Sequence, residues 1–576
     1  MNGTTNSTTN GTTNGTTNGA VNGTNGARSA TPANGEIEDL EVLVVGMGFG
    51  GIYLLHNLRK KGYNVKAVES GGGIGGIWWH NSYPGARVDT SLPFYELSDE
   101  ALWKDWTWKE KFPGYQELRG YFEHVDNVYD LSKDVRFNTV VTDSAFDEAE
   151  NKWTVETNTG VQIRCRWLIL ATGFAAKEHI PKLKGLETFN GPAHHTAKLP
   201  KDEDTIQYDG KRVAVIGTGA SGVQVIQELG PIAEHLTVFQ RTPNLALPMR
   251  QKNLSIEEQV KGKRDYKYLL ELRKRTVAGW DYSYNPKKML DCTPEERNAL
   301  WEELWEKGGF NPWLGNYIDL MASREASDLM YAFWRDKVRQ RITRPELIDD
   351  LCPDEAPFGS PFGTKRPSLE QRFYEVVQQD NVDLINLQKR PILEVTPSGI
   401  VTQELDGSTK EHPVDIILLA TGFDAGSGSL TKINIQGTKG QTLKEKWTKG
   451  TRTQLGIATS DFPNLLFLYG PQSPGAFAIG PAHAEIQGDW IIQTLDHLKS
   501  LGLTYIEATQ AAEERWAKLT NEIMNMTLIA TSTSWYVGAN IPGKLREASN
   551  YLGGLPAYTK EMYDSSDNGY EGFVLR

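Results

Sequence analysis

Two glycine-rich motifs could each hold the pyrophosphate of a dinucleotide. The first, Gly46-Met-Gly48-Phe49-Gly-Gly51, follows a short apolar run and precedes a helical pattern. In such a G-x-G-x-x-G turn, the first glycine makes the bend, the second lets the phosphates approach, and the third lets helix and strand pack closely. Glu69 ends the next apolar run, where an acid accepts hydrogen bonds from an adenosine ribose. The pattern therefore predicts a dinucleotide site.

The second motif differs from the first at the position expected to contact the adenosine ribose. Gly217-Thr218-Gly219-Ala220-Ser221-Gly222 again lies between an apolar run and a helical pattern. Gln240-Arg241-Thr242 stands where the first motif has its acid. Because an arginine accommodates a 2′-phosphate, the second nucleotide is predicted to be NADPH rather than NADH. The alternative is a solvated arginine at the end of a strand.

Two strands with nearly identical ends must position these motifs. Both 167–174 and 415–423 are apolar runs that close with Ala-Thr-Gly-Phe. We interpret them as the points where the chain leaves one nucleotide domain and returns to it. Two such motifs in one chain are most simply interpreted as an FAD site at the first and an NADPH site at the second. The predicted fold is α/β, with two Rossmann-like domains, the NADPH domain inserted into the FAD domain, and a helical subdomain. The expected boundaries are a disordered low-complexity tail (1–35), FAD domain (36–180), NADPH domain (181–394, helical insertion about 251–350) and second part of the FAD domain (395–576).

Composition excludes several classes of protein. The chain has 576 residues, a formal net charge of -12 and three cysteines. An acidic chain is not expected to bind nucleic acid, and no run of 18 apolar residues predicts a membrane span. Cys165, Cys292 and Cys352 lack the spacing of a metal site or a redox pair, which excludes disulfide reductases and favours a reducing, cytoplasmic location. We predict no metal site.

Two longer motifs resemble a known enzyme family. The segment 75–89, Gly-Gly-Ile-Trp-Trp-His-Asn-Ser-Tyr-Pro-Gly-Ala-Arg-Val-Asp, is similar to a fingerprint of the Baeyer–Villiger monooxygenases. These are flavoproteins that insert oxygen beside a ketone. The segment 189–200 resembles their second signature, FxGxxxHxxxW followed by Pro or Asp, with Leu199 in place of the usual Trp. The resemblance covers about residues 38–560, and it implies FAD and NADPH as cofactors and a ketone and O2 as substrates.

The resemblance implies roles for individual residues. Arg366 would stabilise the anionic C4a-peroxyflavin that attacks the ketone, since a guanidinium stays charged and offers several donors. Asp89 would orient Arg366, although it could instead cap a local turn. Lys365 would join Arg241 on the 2′-phosphate. His195 is interpreted as organising a hinge through a hydrogen bond rather than as a base.

The remaining predicted contacts surround the two nucleotides. Trp535 would contact NADP, although with 16 tryptophans in the chain a plain core position is the alternative. Tyr95 and Trp78 would pack at the flavin or serve as core aromatics. The predicted cofactor contacts are Gly46, Gly48, Phe49, Gly51, Glu69, Gly76, Ile77, Trp78, Trp79, His80, Asp89, Tyr95, Val141, Thr218, Gly219, Ala220, Ser221, Gly222, Gln224, Arg241, Thr242, Lys365, Arg366 and Trp535.

Three alternative functions compete with ketone oxygenation to esters or lactones, which could extend to sulfides. The first is a flavin monooxygenase that oxidises amine nitrogen or sulfur. The second is an NADPH oxidase or quinone reductase that inserts no oxygen. The third is an FAD-binding scaffold without turnover. The Asp89 and Arg366 motifs count against the first, because an electrophilic hydroperoxide needs no fixed cation. The intact nucleotide motifs and Lys365-Arg366 count against the scaffold.

Overall fold

The computed structural model describes residues 37–201, 206–357 and 359–576. The segment 1–35, predicted as a tail, lies outside these residues. The described strands are, in chain order, β1 (Glu38–Val45), β2 (Val65–Val68), β3 (Val135–Arg136), β4 (Val141–Asp147), β5 (Lys152–Thr157), β6 (Gln162–Leu170), β7 (Ala193–His195), β8 (Arg212–Ile216), β9 (His235–Gln240), β10 (Leu247–Pro248), β11 (Leu369–Glu370), β12 (Val382–Asn386), β13 (Ile392–Thr396), β14 (Gly399–Gln403), β15 (Thr409–Pro413), β16 (Ile416–Leu419), β17 (Asn434–Gln436), β18 (Leu465–Phe467), β19 (Ile506–Ala508) and β20 (Phe573–Leu575).

Helices of very different length connect these strands. Those described are α1 (Phe49–Lys60), α2 (Ile77–His80), α3 (Glu100–Trp103), α4 (Tyr115–Tyr129), α5 (Ala220–Leu229), α6 (Ile256–Leu272), α7 (Pro294–Lys307), α8 (Asn311–Leu314), α9 (Arg324–Arg339), α10 (Ile348–Leu351), α11 (Phe373–Val376), α12 (Gly428–Thr431), α13 (Leu443–Lys446), α14 (Gly480–Ser500), α15 (Gln510–Asn525) and α16 (Leu555–Asp567). Although α14 has 21 residues, neither it nor another helix within the described ranges is also apolar enough to cross a bilayer.

The first sheet carries the first glycine motif. Its described strands follow the order β17-β4-β5-β6-β1-β2-β3, with β18 also paired to β6. β1 pairs in parallel with β2 and β6. Val42, Leu43 and Val44 of β1 have no exposed surface, as expected for a parallel strand covered on both faces. α1 follows β1 directly and buries Ile52, Leu55 and other apolar residues of one face against α14.

The second sheet carries the second glycine motif. Its order is β12-β9-β8-β16-β7, and every one of these pairs is parallel. α5 connects β8 to β9 and buries Val223, Ile226 and Leu229. The antiparallel strands β13, β14 and β15 follow β12 in the chain. Two such α/β units in one chain reproduce the fold class that the motifs predict.

The chain passes between the two sheets at the Ala-Thr-Gly sequences. β6 lies in the first sheet and ends at Leu170, whereas β16 lies in the second sheet and ends at Leu419. The two connections meet at a bridge between Glu178 and Phe423. The boundary expected at residue 395 differs from this sheet membership, because Val395 packs in the core of the second sheet and the chain leaves that sheet only after Leu419.

A group of helices separates β10 from β11. α6 to α10 occupy most of Ile256–Leu351. Their starts follow the sequence: Ser255 and Thr293 each form a capping box with a glutamate three residues later, and Pro294 occupies the first turn of α7. α9 buries Trp334 and its neighbours on one face. These helices bring tryptophans and phenylalanines to the site described next.

Candidate active site

The first glycine motif forms a backbone cradle that has no room for side chains. Gly46 has φ +100°, and a Cβ there would lie 2.7 Å from the Ala171 carbonyl oxygen. A Cβ on Gly51 would lie 1.8 Å from the Gly46 oxygen, and one on Gly76 would lie 2.8 Å from the Gly48 Cα. The turn and the N-terminus of α1 therefore expose backbone N–H groups that suit a pyrophosphate.

Glu69 is built into the same cradle. Its side chain is 4% exposed, and its carboxylate accepts hydrogen bonds from the backbone N–H groups of Met47 and Gly71, both at 2.7 Å. Burial would raise the pKa of Glu69, but hydrogen bonds from His80 and from these two N–H groups outweigh it and lower the pKa. Glu69 therefore stays ionised and can accept from ribose hydroxyls. Val141, also predicted as a contact, begins β4 and is buried in the core beneath the first sheet.

The short helix α2 covers the glycine run after Glu69. Cβ atoms on Gly71 and Gly73 would lie 2.5 and 2.4 Å from the Trp79 indole, which therefore packs flat on these glycines. Arg119 donates to the Trp79 carbonyl oxygen at 2.9 Å and lies over its ring. Ile77 is exposed, in contrast to Trp78. Sequence reasoning missed Gly71, Gly73 and Arg119, although three consecutive glycines beside a Trp-Trp pair were a usable signal.

Tyr95 contacts both α2, the short helix within the fingerprint segment 75–89, and the start of α1. The Trp78 indole N–H donates to the Tyr95 hydroxyl at 2.8 Å. The Tyr95 ring meets Phe49 edge-on, with 5.2 Å between centroids. The predicted contacts Phe49, Trp78 and Tyr95 thus form one aromatic group next to the Gly46–Gly51 turn.

The second glycine motif repeats the backbone of the first. Gly217 has φ +107°, and its Cβ would lie 2.5 Å from the Ala420 carbonyl oxygen. A Cβ on Gly222 would lie 2.1 Å from the Gly217 oxygen, whereas one on Gly219 would meet no atom within 4 Å. Gly219 and Ala220 are exposed at the start of α5. This turn therefore offers an open approach to a phosphate.

The two motifs touch through the family fingerprint. Tyr83 donates from its hydroxyl to Gln224 at 2.8 Å and accepts from the Ser221 hydroxyl at 3.2 Å. Gln224 also donates to the Arg87 carbonyl oxygen at 3.0 Å. Gly85 packs so closely on α5 that a Cβ there would lie 2.7 Å from the Gln224 oxygen. The predicted positions Ser221 and Gln224 therefore connect the two nucleotide domains.

A basic pair lies beyond the second motif. Arg241 is exposed after β9, and Thr218 donates to the carbonyl oxygen of Thr242 at 3.2 Å. Lys365 donates to the Ser360 hydroxyl at 2.7 Å. Burial, together with the positive charge of Arg241, lowers the pKa of Lys365 to about 8. Two cations from separate segments that repel each other suit a doubly charged phosphate.

Arg366 and Asp89 form a bidentate ion pair. Arg366 Nε donates to one Asp89 oxygen at 2.8 Å and Nη2 to the other at 2.6 Å. Nη1 donates to the Ala476 carbonyl oxygen at 2.7 Å. Burial would lower the pKa of Arg366, but the Asp89 charge and hydrogen bonds outweigh it and raise the pKa. The structure thus brings together the two predicted catalytic residues, which lie far apart in sequence.

Aromatic side chains from the helical insertion complete this site. The guanidinium of Arg366 lies 4.7 Å from the Phe310 ring centroid and 5.9 Å from that of Trp280. Tyr536 accepts a hydrogen bond from the Arg366 backbone N–H at 3.2 Å. Cation–π contacts of this kind hold a guanidinium in a desolvated place. Phe310 and Trp280 were not predicted, and no sequence signal separates them from ordinary core residues.

His195 lies at the connection between the sheets. Its Nδ1 accepts from the Ala197 N–H at 3.2 Å, so Nε2 carries the proton and donates to the Gly422 carbonyl oxygen at 3.0 Å. Burial lowers the pKa of His195, which keeps the ring neutral. Both nitrogens therefore bind backbone partners.

Trp535 lies on the loop that follows α15. Its ring stacks on Phe174, with centroids 5.8 Å apart and planes 11° apart. The next residue, Tyr536, contacts Arg366 as described above. Asn540 donates to the Phe423 carbonyl oxygen at 2.9 Å. The loop therefore lies against both Ala-Thr-Gly-Phe sequences, which places Trp535 beside the connection between the two domains.

The chain is similar to several known proteins over most of its length. Residues 40–265 match the family described as pyridine nucleotide-disulphide oxidoreductase. The chain is 46% identical to cyclopentanone 1,2-monooxygenase of a Comamonas species, over 94% of this chain and 97% of that one. It is 34% identical to a Baeyer–Villiger monooxygenase of Pseudooceanicola batsensis, over 93% and 96%. Cyclohexanone monooxygenase from Rhodococcus sp. Phi1, solved with NADP+, has a TM-score of 0.89 at 35% identity, over 94% and 100%.

The chain belongs to the Baeyer–Villiger monooxygenases. It is a flavin monooxygenase that depends on FAD and NADPH, with two dinucleotide-binding domains. The family, fold class, enzyme class and cofactors predicted from the sequence are therefore confirmed. The replacement of the signature tryptophan by Leu199 does not remove the chain from the family; Leu199 is buried in the main core.

Proposed function

We propose that the chain uses NADPH and O2 to insert one oxygen atom beside the carbonyl carbon of a ketone, giving an ester or a lactone. The observation that carries the proposal is the bidentate pair of Arg366 and Asp89, which fixes a cation beside the Tyr95 segment. Relatives named for the same class of substrate support it, including cyclopentanone 1,2-monooxygenase and acetone monooxygenase (methyl acetate-forming) of a Gordonia species, the latter 37% identical.

The residues of each glycine motif fit the dinucleotide assigned to it. Gly46, Gly48 and Gly51 make a cradle that a Cβ would fill, and buried Glu69 is ionised to accept from a ribose. When bound, FAD supplies the oxygen chemistry and NADPH supplies the electrons. The other predicted contacts of this motif, from Gly76 to His80, cover the same cradle. Their part is to hold the nucleotide and exclude water.

Arg366 would act on charge that develops during oxygen insertion. A guanidinium keeps its proton throughout the working pH range and offers directed donors to a negative oxygen. Asp89 takes two of those donors, Nε and Nη2, and the Ala476 carbonyl takes Nη1. Asp89 thereby orients the guanidinium and offsets the cost of burying it. Phe310 limits the access of water to the same group.

The second site would select NADPH. Arg241 and Lys365 would bind the 2′-phosphate, and the open turn at Gly219 would receive the pyrophosphate. Trp535 would contact the nicotinamide end from its loop. His195 would maintain the geometry of the connection between the domains through Gly422. NADH lacks the phosphate that the basic pair would hold.

The alternative of an oxygenase acting on nitrogen or sulfur is not favoured. Such a reaction needs no cation to hold a negative oxygen, so the Arg366–Asp89 pair would have no part in it. An NADPH oxidase would likewise not need the pair.

We also propose a cytoplasmic location, supported by three cysteines that are buried and unpaired, as in reducing compartments.

The test supplies purified protein with FAD, NADPH, air and a panel of cyclic and open-chain ketones, with a sulfide and an amine for comparison. Ester or lactone formation is expected, and Arg366→Ala should reduce it about a thousandfold, the loss typical of removing an oxyanion donor. Arg372→Ala removes an exposed arginine paired to Glu228 and serves as the control. Peroxide release without any oxygenated ketone product would refute the proposal.

A further inference from the structure

A fully buried arginine holds the segment that contains Tyr95. Arg273 follows α6 and has no exposed surface. Its Nη1 donates to the carbonyl oxygens of Phe94 at 2.8 Å and Glu96 at 2.6 Å, and its Nη2 donates to the Ser98 hydroxyl at 2.9 Å. The carbonyls before and after Tyr95 are therefore bound by one guanidinium from the helical insertion.

The counter-ion of Arg273 comes from a third element. Glu485 of α14 is 1% exposed and lies 3.2 Å from Arg273 Nη2. It accepts from the Ser98 backbone N–H at 2.7 Å and from the Ser98 hydroxyl at 2.6 Å. Burial would raise the pKa of Glu485, but the charges of Arg273 and Lys274 outweigh it and lower the pKa. α6, α14 and the Phe94–Ser98 segment are thus joined by one ionised network.

The network lies next to Tyr95, which is predicted to pack at the flavin. α14 begins at Gly480, where a Cβ would lie 3.9 Å from the Tyr95 ring. Glu96 also faces Arg273, but burial raises its pKa to about 8. Near neutral pH the ionised carboxylate beside Arg273 is therefore Glu485, which Lys274 also contacts at 3.3 Å. A buried ion pair adds little net stability compared with apolar residues of the same size. Its defined hydrogen bonds do, however, fix a backbone position.

We propose that Arg273, with Glu485 as counter-ion, is a positioning residue that acts through Tyr95 to keep NADPH oxidation coupled to oxygen insertion. The inference rests on the proposed function, and it adds a route by which the helical insertion affects the flavin site. A mutation far from the chemistry that misplaces a reacting group by about 1 Å can lower a rate about a hundredfold.

The experiment compares Arg273→Met, Arg273→Lys and Ser98→Ala as FAD-loaded proteins. Arg273→Met should lower the ratio of ester or lactone formed to NADPH consumed about tenfold, with the difference appearing as peroxide. Arg273→Lys, which keeps the charge, should restore part of the ratio. Arg341→Met is the control, since Arg341 likewise forms an ion pair with a buried glutamate, Glu370, and also with Glu375, but has no contact with the Phe94–Ser98 segment among its described partners.

A second readout does not depend on turnover. If Arg273 holds Tyr95 against the bound flavin, Arg273→Met and Ser98→Ala should raise flavin fluorescence, because a nearby phenol quenches it. In a Tyr95→Ala background, Arg273→Met should cause no further rise and no further loss of coupling, since coupled residues are not additive.

Defined outcomes would overturn the inference. These are wild-type coupling and fluorescence in Arg273→Met, a loss equal to that of Arg341→Met, or full additivity with Tyr95→Ala. Should Arg273→Met fail to fold, unchanged coupling and fluorescence in Ser98→Ala overturns it. Failure of the proposed function is separate, because it shows as absence of oxygenated product in the wild type, whereas the fluorescence comparison still decides the role of Arg273.

Discussion

The two glycine motifs share a backbone but differ in how they end. Gly46 and Gly217 adopt the same left-handed turn, each packed on the carbonyl of an Ala-Thr-Gly sequence. The first motif ends in Glu69, which is buried and bound to backbone N–H groups of its own cradle. The second ends in Arg241, which is exposed; burial and the charge of Arg241 lower the pKa of Lys365 from a distant segment.

We expect this difference to distinguish a ligand that stays bound from one that exchanges. Glu69, the residue predicted to bind the ribose at the first site, is held by backbone hydrogen bonds of the fold. It therefore stays buried and ionised when the ligand leaves. The second site is assembled from separate segments, with Arg241 exposed and Lys365 partly buried. We therefore expect FAD to stay bound through many turnovers and NADPH to exchange. The following substitutions test this contrast.

Glu69→Ala should have the largest effect on binding. It removes the ribose acceptor and leaves two buried N–H groups without a partner, so FAD affinity should fall about a thousandfold, equivalent to roughly 4 kcal/mol. Titration of the apoprotein with FAD, followed by flavin fluorescence, measures it. Gln240→Ala changes the residue at the corresponding strand end of the second motif and should leave FAD affinity unaltered. Equal losses in the two variants would remove the contrast.

Arg241→Ala should have a smaller effect, limited to the choice of nicotinamide cofactor. Loss of one charge-assisted contact should lower the NADPH-to-NADH ratio of kcat/KM about thirtyfold, with FAD content unchanged. Steady-state kinetics with both cofactors provide the measurement. Arg212→Ala, at the opposite end of the same sheet and paired with Asp415, is the control. A ratio that stays at the wild-type value would show that Arg241 does not read the phosphate.

Lys365 should give the smallest effect, seen only as a pH dependence. Its pKa is lowered to about 8 by burial and by Arg241, and a bound phosphate favours the charged form. Below pH 8 the lysine is already charged, so affinity is constant. Above pH 8 binding must also take up a proton, and NADPH affinity should fall up to about tenfold per pH unit.

Titrations from pH 7 to 9 check this expectation. Lys365→Arg stays charged over that range and should show a flat profile. NADH, which lacks the 2′-phosphate, should show no such fall with the wild type. A wild-type NADPH profile that matches the Lys365→Arg profile would assign the pH dependence to another group.

Local motifs were readable from the sequence, whereas contacts across the chain were not. The glycine turns and Glu69 follow from spacing within one βαβ unit, because each position there has a fixed stereochemical task. The pairing of Asp89 with Arg366 was accessible only through family resemblance, since no periodicity links residues so far apart. Trp280 and Phe310 reach Arg366 from the helical insertion, and their residue types resemble ordinary core.

The domain boundary illustrates the same limit. β14 and the polar strand β15 form a small separate sheet with β13, and the apolar strand β16 joins the second sheet. Only strand pairing, which the sequence does not show, decides this membership. β16 pairs with β8 and β7, so the second sheet retains the chain through Leu419. The repeated Ala-Thr-Gly sequences were the informative signal, because each gives a carbonyl against which a glycine turn packs.

The bridge between Glu178 and Phe423 has a mechanical consequence. The outgoing and returning connections pair with each other there, so two paired chain segments, and not a single segment, link the nucleotide domains at this point. Two paired segments bend more easily about one axis than they twist about their length. We therefore expect relative motion of the domains to be mainly opening and closing, with little rotation of one nucleotide site against the other.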